Sequence, residues 1–231
     1  MKPYTSLQIF IVALLVGLSW SATAAQLQVS VTGADGKPVP DVAVQVQPTG
    51  NWPAQATPEP AVIAQQNIRF VPFLTIVPVG ASVRFVNRDR YDHHVRSLPG
   101  GPLGNLPPAR QFEFRMAALN AAGREAQSAD LKLDLPGTIA LGCHLHGSMR
   151  GHILISTTPW FAVTDAQGKV RIDNLPDGQA EVRLWHPDQL SDQAALRVQL
   201  GGNVVTEGKL NFSPRRRSPA PAATSDYEVK N

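Results

Sequence analysis

In the segment Leu141-Gly142-Cys143-His144-Leu145-His146-Gly147-Ser148-Met149 the chain carries its only cysteine, two of its six histidines and one of its three methionines. Thiolate, imidazole and thioether groups are the ligands that soft transition metals prefer. The spacing of Cys143, His146 and Met149 would let one short loop supply three ligands to a single metal ion. A trigonal Cys-His-His site with a weak axial methionine needs one further histidine, which has to come from elsewhere in the fold.

Residues 1–25 have the pattern of a secretory signal. Lys2 gives a positive start, an uncharged apolar run extends from Leu7 to Leu18, and small residues at 21–25 suit cleavage. The apolar run is short for a membrane span of about 20 residues, so an uncleaved anchor is the less favoured alternative. We therefore expect a periplasmic or secreted protein without stable membrane insertion after the signal is removed.

A single cysteine in an exported chain has no internal disulfide partner. Cys143 is then either a buried, inert thiol or a metal thiolate, and the neighbouring His146 and Met149 favour the thiolate. Zinc is a competing metal, but one cysteine combined with a methionine argues against a structural zinc site.

The composition predicts an all-β chain. The 20 prolines and 18 glycines, together with many valines, indicate short strands joined by turns. Between the signal and Phe212 the numbers of basic and acidic residues are equal, so nothing there suggests nucleic-acid binding. Two local predictions are a β-hairpin built from Gln26–Thr32 and Val42–Val46, and a short helix or loop insertion over Ala117–Asp130.

Residues 59–156 resemble a cupredoxin domain, which is a Greek-key β-sandwich. The segment Val83–Asp89, followed by a histidine and Val95, is similar to the strand and loop that carry the first histidine ligand of plastocyanin and amicyanin. The pattern Cys143-x-x-His146-x-x-Met149 is similar to the compact ligand loop of amicyanin. The resemblance is strongest to a family of secreted plastocyanin-like proteins often labelled methylamine-utilisation proteins.

The resemblance implies one type 1 copper ion bound by His93, Cys143, His146 and Met149. Amicyanin has asparagine where this chain has His94, so His94 is kept as an alternative to His93. Adjacent strand residues point to opposite faces, so only one of the two histidines should face the metal. The spacing to the preceding asparagine and the following valine favours His93. No metal role is predicted for the other three histidines, which are His144, His152 and His186.

The two flanking segments resemble parts of one further domain. Val31–Val44 is similar to the start of a carboxypeptidase-regulatory-like, transthyretin-like β-sandwich, and Val163–Val170 and Leu175–Gly178 are similar to its later portion. Each flank alone has too few strands to form a stable core, so we predict that the cupredoxin domain is inserted into this sandwich. The predicted organisation is a signal peptide (1–25), a discontinuous sandwich (26–58 and 157–213), a cupredoxin domain (59–156) and a disordered tail (214–231).

The resemblance implies electron transfer rather than catalysis. The expected partners are redox proteins, such as a c-type cytochrome or a periplasmic dehydrogenase, and His146 is expected near the surface inside an apolar docking patch. No motif places a nucleophilic serine beside the histidines, so no enzymatic activity is predicted. The alternative is a periplasmic copper-binding, storage or delivery protein, which would have a more open site.

Overall fold

The computed structural model describes residues 24–50, 52, 59–101, 103–119 and 128–215. These residues form sixteen β-strands and no helix, which confirms the all-β fold class predicted from the sequence. No helix able to cross a membrane is found in this part of the chain. In chain order the strands are β1 (Ala25–Thr32), β2 (Ala43–Pro48), β3 (Ala61–Gln65), β4 (Phe70–Val71), β5 (Leu74–Pro78), β6 (Ser82–Asn87), β7 (His93–Leu98), β8 (Glu113–Met116), β9 (Ser128–Lys132), β10 (Gly137–Cys143), β11 (Arg150–Ser156), β12 (Trp160–Val163), β13 (Lys169–Leu175), β14 (Gly178–Trp185), β15 (Leu196–Leu200) and β16 (Asn203–Lys209).

Two of the four sheets enclose one core, built from both ends of the described chain. A three-stranded sheet has the order β13-β1-β16, and a four-stranded sheet has the order β12-β2-β14-β15. In β1 the apolar residues Leu27, Val29 and Val31 are buried and alternate with more exposed polar residues, because successive side chains of a strand point to opposite faces. They pack with residues of the later strands, including Leu175 and Val182.

The predicted hairpin between the first two strands is wrong. The turn itself forms, with Gly36 at a φ of 76° and its N–H donating to the carbonyl of Gly33. The chain then crosses to the opposite sheet, so β1 and β2 are not neighbours. The reason is that β1 already has β13 on one side and β16 on the other, which leaves no free edge for β2.

The other two sheets enclose a second core. A five-stranded sheet has the order β5-β11-β10-β7-β8, and a four-stranded sheet has the order β4-β3-β6-β9. Phe85 lies fully buried in this core, with its ring 5.8 Å from that of Phe112 and 5.3 Å from that of Phe114. Cys143 and Met149 belong to the same core, so the predicted ligand loop is anchored in it at two points.

A small apolar cluster joins the two pairs of sheets. Leu74 of β5 and Leu154 of β11 pack with Ala43 of β2, and Trp185 and Val163 complete the contact. The outer face of the five-stranded sheet is therefore covered in part by the other pair of sheets, on its β5 side.

Three predictions fall wholly or partly outside the described residues. These are the signal peptide up to residue 23, residues 120–127 of the alanine-rich segment and residues 216–231 of the tail. Ala25, the last residue of the predicted signal, begins β1 and is fully buried. At the other end, the guanidinium of Arg215 lies 2.8 Å from the carboxylate of Asp188.

Candidate metal centre

Two paired strands position the predicted ligands. β7 begins at His93 and β10 ends at Cys143, and the two strands are antiparallel, with Val95 opposite Cys143. In β7 the side chains of His93 and Val95 are buried, whereas His94 is only partly buried, as strand alternation requires. The loop after Cys143 then returns the chain into β11.

The structure brings His93, Cys143 and His146 together. Each offers one ligand atom, and the three atoms lie within 4.8 Å of one another. The sulfur of Cys143 is 3.7 Å from Nδ1 of His93 and 3.6 Å from Nδ1 of His146. In the described part of the chain this is the only group of three or more His, Cys, Asp and Glu side chains close enough to hold a metal ion.

The two sulfur–nitrogen separations are compatible with bonds from one sulfur and each imidazole to a single first-row metal ion. Such ions bind at about 2.3 Å from sulfur and about 2.0 Å from nitrogen, and the observed sulfur–nitrogen distances then correspond to a bond angle of roughly 115°. That angle suits a trigonal or tetrahedral centre. Met149 is 1% exposed and packs in the same core as Cys143, and its N–H donates to the carbonyl of His146 at 2.9 Å. Cys143, His93 and His146 thus form a mixed sulfur and nitrogen donor set of the kind that suits copper.

His94 faces away from this cluster. Its Nε2 lies 2.9 Å from a carboxylate oxygen of Glu113, and its ring is 5.6 Å from that of His144. The backbone N–H of His94 nevertheless donates to the sulfur of Cys143 at 3.4 Å. His94 thus contributes to the site through its backbone rather than its imidazole.

The remaining histidines also lie apart from the cluster. His144 is exposed beside His94. His152 stacks edge-on against Phe73 at 5.0 Å, and the ring of His186 is 6.0 Å from that of Phe212 in the other pair of sheets.

Asp89 is a site residue that the sequence did not reveal. It is 6% exposed, and one of its carboxylate oxygens lies 2.9 Å from Nε2 of His93. The carboxylate also accepts hydrogen bonds from the backbone N–H groups of Asn67 at 2.6 Å and Ile68 at 2.9 Å. Because an ionised carboxylate only accepts, Nε2 of His93 carries the proton and directs Nδ1 toward the sulfur of Cys143.

Asn87 ties the surrounding loops together. Its side-chain amide donates to the carbonyls of Tyr91 and Ala117, both at 2.8 Å, and its amide oxygen accepts from the N–H of Asp89 at 2.9 Å. Asn87, at the end of β6, therefore holds the loop between β6 and β7, which contains Asp89 and Tyr91, against the residue that follows β8.

The local electrostatics favour a thiolate. Burial opposes ionisation of Cys143, but hydrogen bonds from the N–H of His94 and the imidazole of His93 outweigh it and lower the pKa of the thiol. Burial likewise opposes protonation of His93, but its hydrogen bonds to Asp89 and Cys143 raise its pKa. Burial raises the pKa of Asp89, but the hydrogen bonds from His93 and from the backbone N–H groups of Asn67 and Ile68 outweigh it, so the pKa of Asp89 is lowered. The shifts of Cys143 and His93 act in the same direction, toward ionisation, because each ionised form stabilises the other.

His146 is the most exposed member of the cluster. His93 and Cys143 are buried, whereas His146 is partly accessible. Tyr91, with its ring 6.4 Å from that of His146, and Leu145 are about half exposed beside it. His146 is therefore the member of the cluster that lies nearest to solvent.

No protein-family model matches the chain, and no curated protein matches it in sequence. Among solved structures, part of the chain is similar to a Cu-containing nitrite reductase (NirK) from Thermus scotoductus SA-01, with 19% identity and a TM-score of 0.36, over 48% of this chain and 25% of that chain. A mutant of amicyanin in its oxidised state aligns with 22% identity and a TM-score of 0.31, over 42% of this chain and 82% of that chain. A purple cupredoxin from Nitrosopumilus maritimus aligns with 17% identity and a TM-score of 0.34, over 42% of this chain and 99% of that chain.

Proposed function

We propose that this protein is an exported blue copper protein that carries single electrons between redox proteins. The observation that carries the proposal is the convergence of His93, Cys143 and His146, whose ligand atoms lie within 4.8 Å of one another, with Nδ1 of each histidine 3.7 Å or less from Sγ of Cys143. Met149, buried in the same core, would be the fourth residue to hold the ion. A bound copper ion would supply reversible one-electron redox chemistry.

The chain's own residues hold these ligands in place. Asp89 fixes the tautomer and the direction of the His93 ring, and the N–H of His94 fixes the sulfur of Cys143. A site whose ligands are held by neighbouring groups changes little between oxidation states, which favours rapid electron transfer.

Burial supports a carrier over the alternative of copper storage or delivery. A delivery site needs ligands that a receiving protein can reach, but His93, Cys143 and Met149 are all 3% exposed or less. The proposed site has four protein ligands and no open coordination position, as a substrate-converting metal site would need. We therefore propose no enzymatic activity.

The proposal includes the inserted-domain organisation, with the cupredoxin domain at 59–156. It is supported by the sharing of one core between β1 and β2 on one side and the strands from Trp160 onward on the other. Export to the periplasm or beyond is proposed from the pattern of residues 1–25.

The test is titration of the purified protein with Cu(II), followed by visible spectroscopy and voltammetry. We expect an intense charge-transfer band and a reversible one-electron wave, both absent in Cys143→Ala. Absence of the band, with Cys143→Ala binding Cu(II) as well as the parent protein, would refute the proposal. His93→Ala and His94→Ala form a matched pair of adjacent histidines, and only the first should abolish the band.

A further inference from the structure

The loop after β6 and the loop after β10 meet at the end of the sandwich that carries the metal cluster. Each loop has one large exposed apolar side chain there, and these two side chains form the apolar centre of this end. Tyr91 is 51% exposed and Leu145 is 53% exposed, and they lie on the two loops that meet at His146. Large apolar side chains that are exposed side by side at a functional site are typical of a docking surface.

The same end is basic. The segments that carry or flank the cluster are residues 65–69, 87–96, 113–119 and 143–150, and they contain six arginines but only three carboxylates. Elsewhere in the described chain carboxylates outnumber basic side chains. The excess of positive charge therefore lies in the segments that carry or flank the cluster.

The three carboxylates at this end are already engaged. Asp89 is buried against His93, Asp92 forms an ion pair with Arg115, and Glu113 binds His94. Each is held by a basic group of the protein itself, and the balance at this end stays at six arginines against three carboxylates.

Two exposed arginines lie in the segments that carry the apolar centre and the cluster. Arg90 is exposed and directly precedes Tyr91. Arg150 is exposed at the far end of the ligand loop, where its guanidinium donates to the carbonyl of Met149 at 3.0 Å.

We propose that this end is the docking surface for an acidic redox protein, with Tyr91 and Leu145 at its centre and Arg90 and Arg150 as its rim. The inference rests on the proposed electron-carrier function and specifies the charge of the partner. Such a rim speeds encounter with a partner of opposite charge, and the apolar centre brings the partner against His146. A small interface of this kind suits a carrier that must also release its partner.

The experiment compares two forms of one redox probe, native cytochrome c, which is basic, and succinylated cytochrome c, whose lysines have become carboxylates. Stopped-flow spectroscopy follows the exchange of one electron, in which the haem iron is oxidised as the copper-loaded protein is reduced, or the reverse. We expect the succinylated form to react faster at low ionic strength, by about tenfold or more, and to slow as salt is added.

Charge reversal provides the matched variants. Arg90→Glu and Arg150→Glu should each slow the succinylated probe and flatten its salt dependence, and together they should reverse the preference. Arg197→Glu is the control. This substitution makes the same change in net charge, but Arg197 is exposed on β15, in the other pair of sheets. An equal effect of Arg197→Glu, or a faster reaction with the native probe, would overturn the inference.

A binding measurement separates this inference from the proposed function. The affinity of the metal-free protein for each probe is measured by titration at low ionic strength. The succinylated form should bind more tightly than the native form, and this difference should disappear when Arg90 and Arg150 are both replaced with glutamate. A protein that forms the blue copper band but shows no charge preference refutes the docking surface alone. A protein that lacks the band but keeps the preference refutes the copper function alone.

Discussion

Replacing Asp89 with asparagine should destabilise the metal-free protein. The carboxylate accepts three hydrogen bonds, from Nε2 of His93 and from the N–H groups of Asn67 and Ile68. Asparagine keeps the shape, but one of its two terminal atoms becomes a donor. Whichever way the amide turns, that donor faces either the N–H of Asn67 or those of Ile68 and His93.

The size of the effect follows from these contacts. A hydrogen bond to a charged group contributes about 1.5–3 kcal/mol, and a buried donor left unpaired costs about 1–3 kcal/mol. Asp89 is 6% exposed, so water compensates little. We expect the free energy of unfolding to fall by about 2–4 kcal/mol. Copper affinity should fall by roughly 10–100-fold, because Asp89 orients the ring of His93.

The assay is urea unfolding of the metal-free parent protein and Asp89→Asn, followed by circular dichroism. Asp130→Asn is the control, because the ion pair of Asp130 with Arg84 is about half exposed and should matter far less. The reasoning is refuted if Asp89→Asn loses no more stability than Asp130→Asn.

The difference in unfolding free energy between the parent protein and Asp89→Asn should depend on pH, in a direction set by the pKa of Asp89. The pKa of Asp89 is lowered in the folded protein, so its ionised form stabilises the fold above the ordinary carboxyl pKa. This contribution is lost as the pH falls through the lowered pKa. The stability gap between the parent protein and Asp89→Asn should therefore narrow in acid, and a gap that stays constant would contradict the assignment.

Three further predictions concern the metal and the fold. Because the pKa of His93 is raised and its Nδ1 must be free to bind metal, copper affinity should increase as the pH rises through that pKa, and calorimetry in buffers of different ionisation enthalpy should detect proton release. Gly168→Ala should lower the melting temperature much more than Gly36→Ala. Both glycines have a positive φ, but an added Cβ at Gly168 would lie 2.5 Å from a backbone oxygen, whereas an added Cβ at Gly36 would meet no atom within 4 Å. Phe85→Ala should cost about 3–5 kcal/mol in urea unfolding, whereas Val205→Ala, at a site 72% exposed, should have little effect.

The ligand loop was predictable because its chemistry is local. Cys143, His146 and Met149 lie within seven residues, so a single turn between two strands can bring them together. Strand alternation also predicted that His93 and His94 point to opposite faces, and the structure has His93 in the cluster and His94 on Glu113. Their roles as copper ligands stay predictions that the spectra described above would test.

Asp89 was not predictable, because its contacts depend on strands that are distant in sequence. β3 and β6 pair in parallel with Gln65 opposite Asn87, which places the turn after β3 beside the loop after β6. Only this pairing brings the N–H groups of Asn67 and Ile68 to the carboxylate. In the polar loop that holds Asp89, no periodicity indicates which side chains turn inward.

By itself, the sequence determined the all-β class, most strand positions and the set of soft donors around Cys143, because alternation and short spacings are properties of neighbouring residues. The tertiary structure decided which strands pair, and hence that β1 takes its partners from the far end of the described chain rather than from β2. It also decided that Asp89 supports His93. These features arise from long-range strand pairing, in which the partners are chosen by the packing of both cores together rather than by any local pattern.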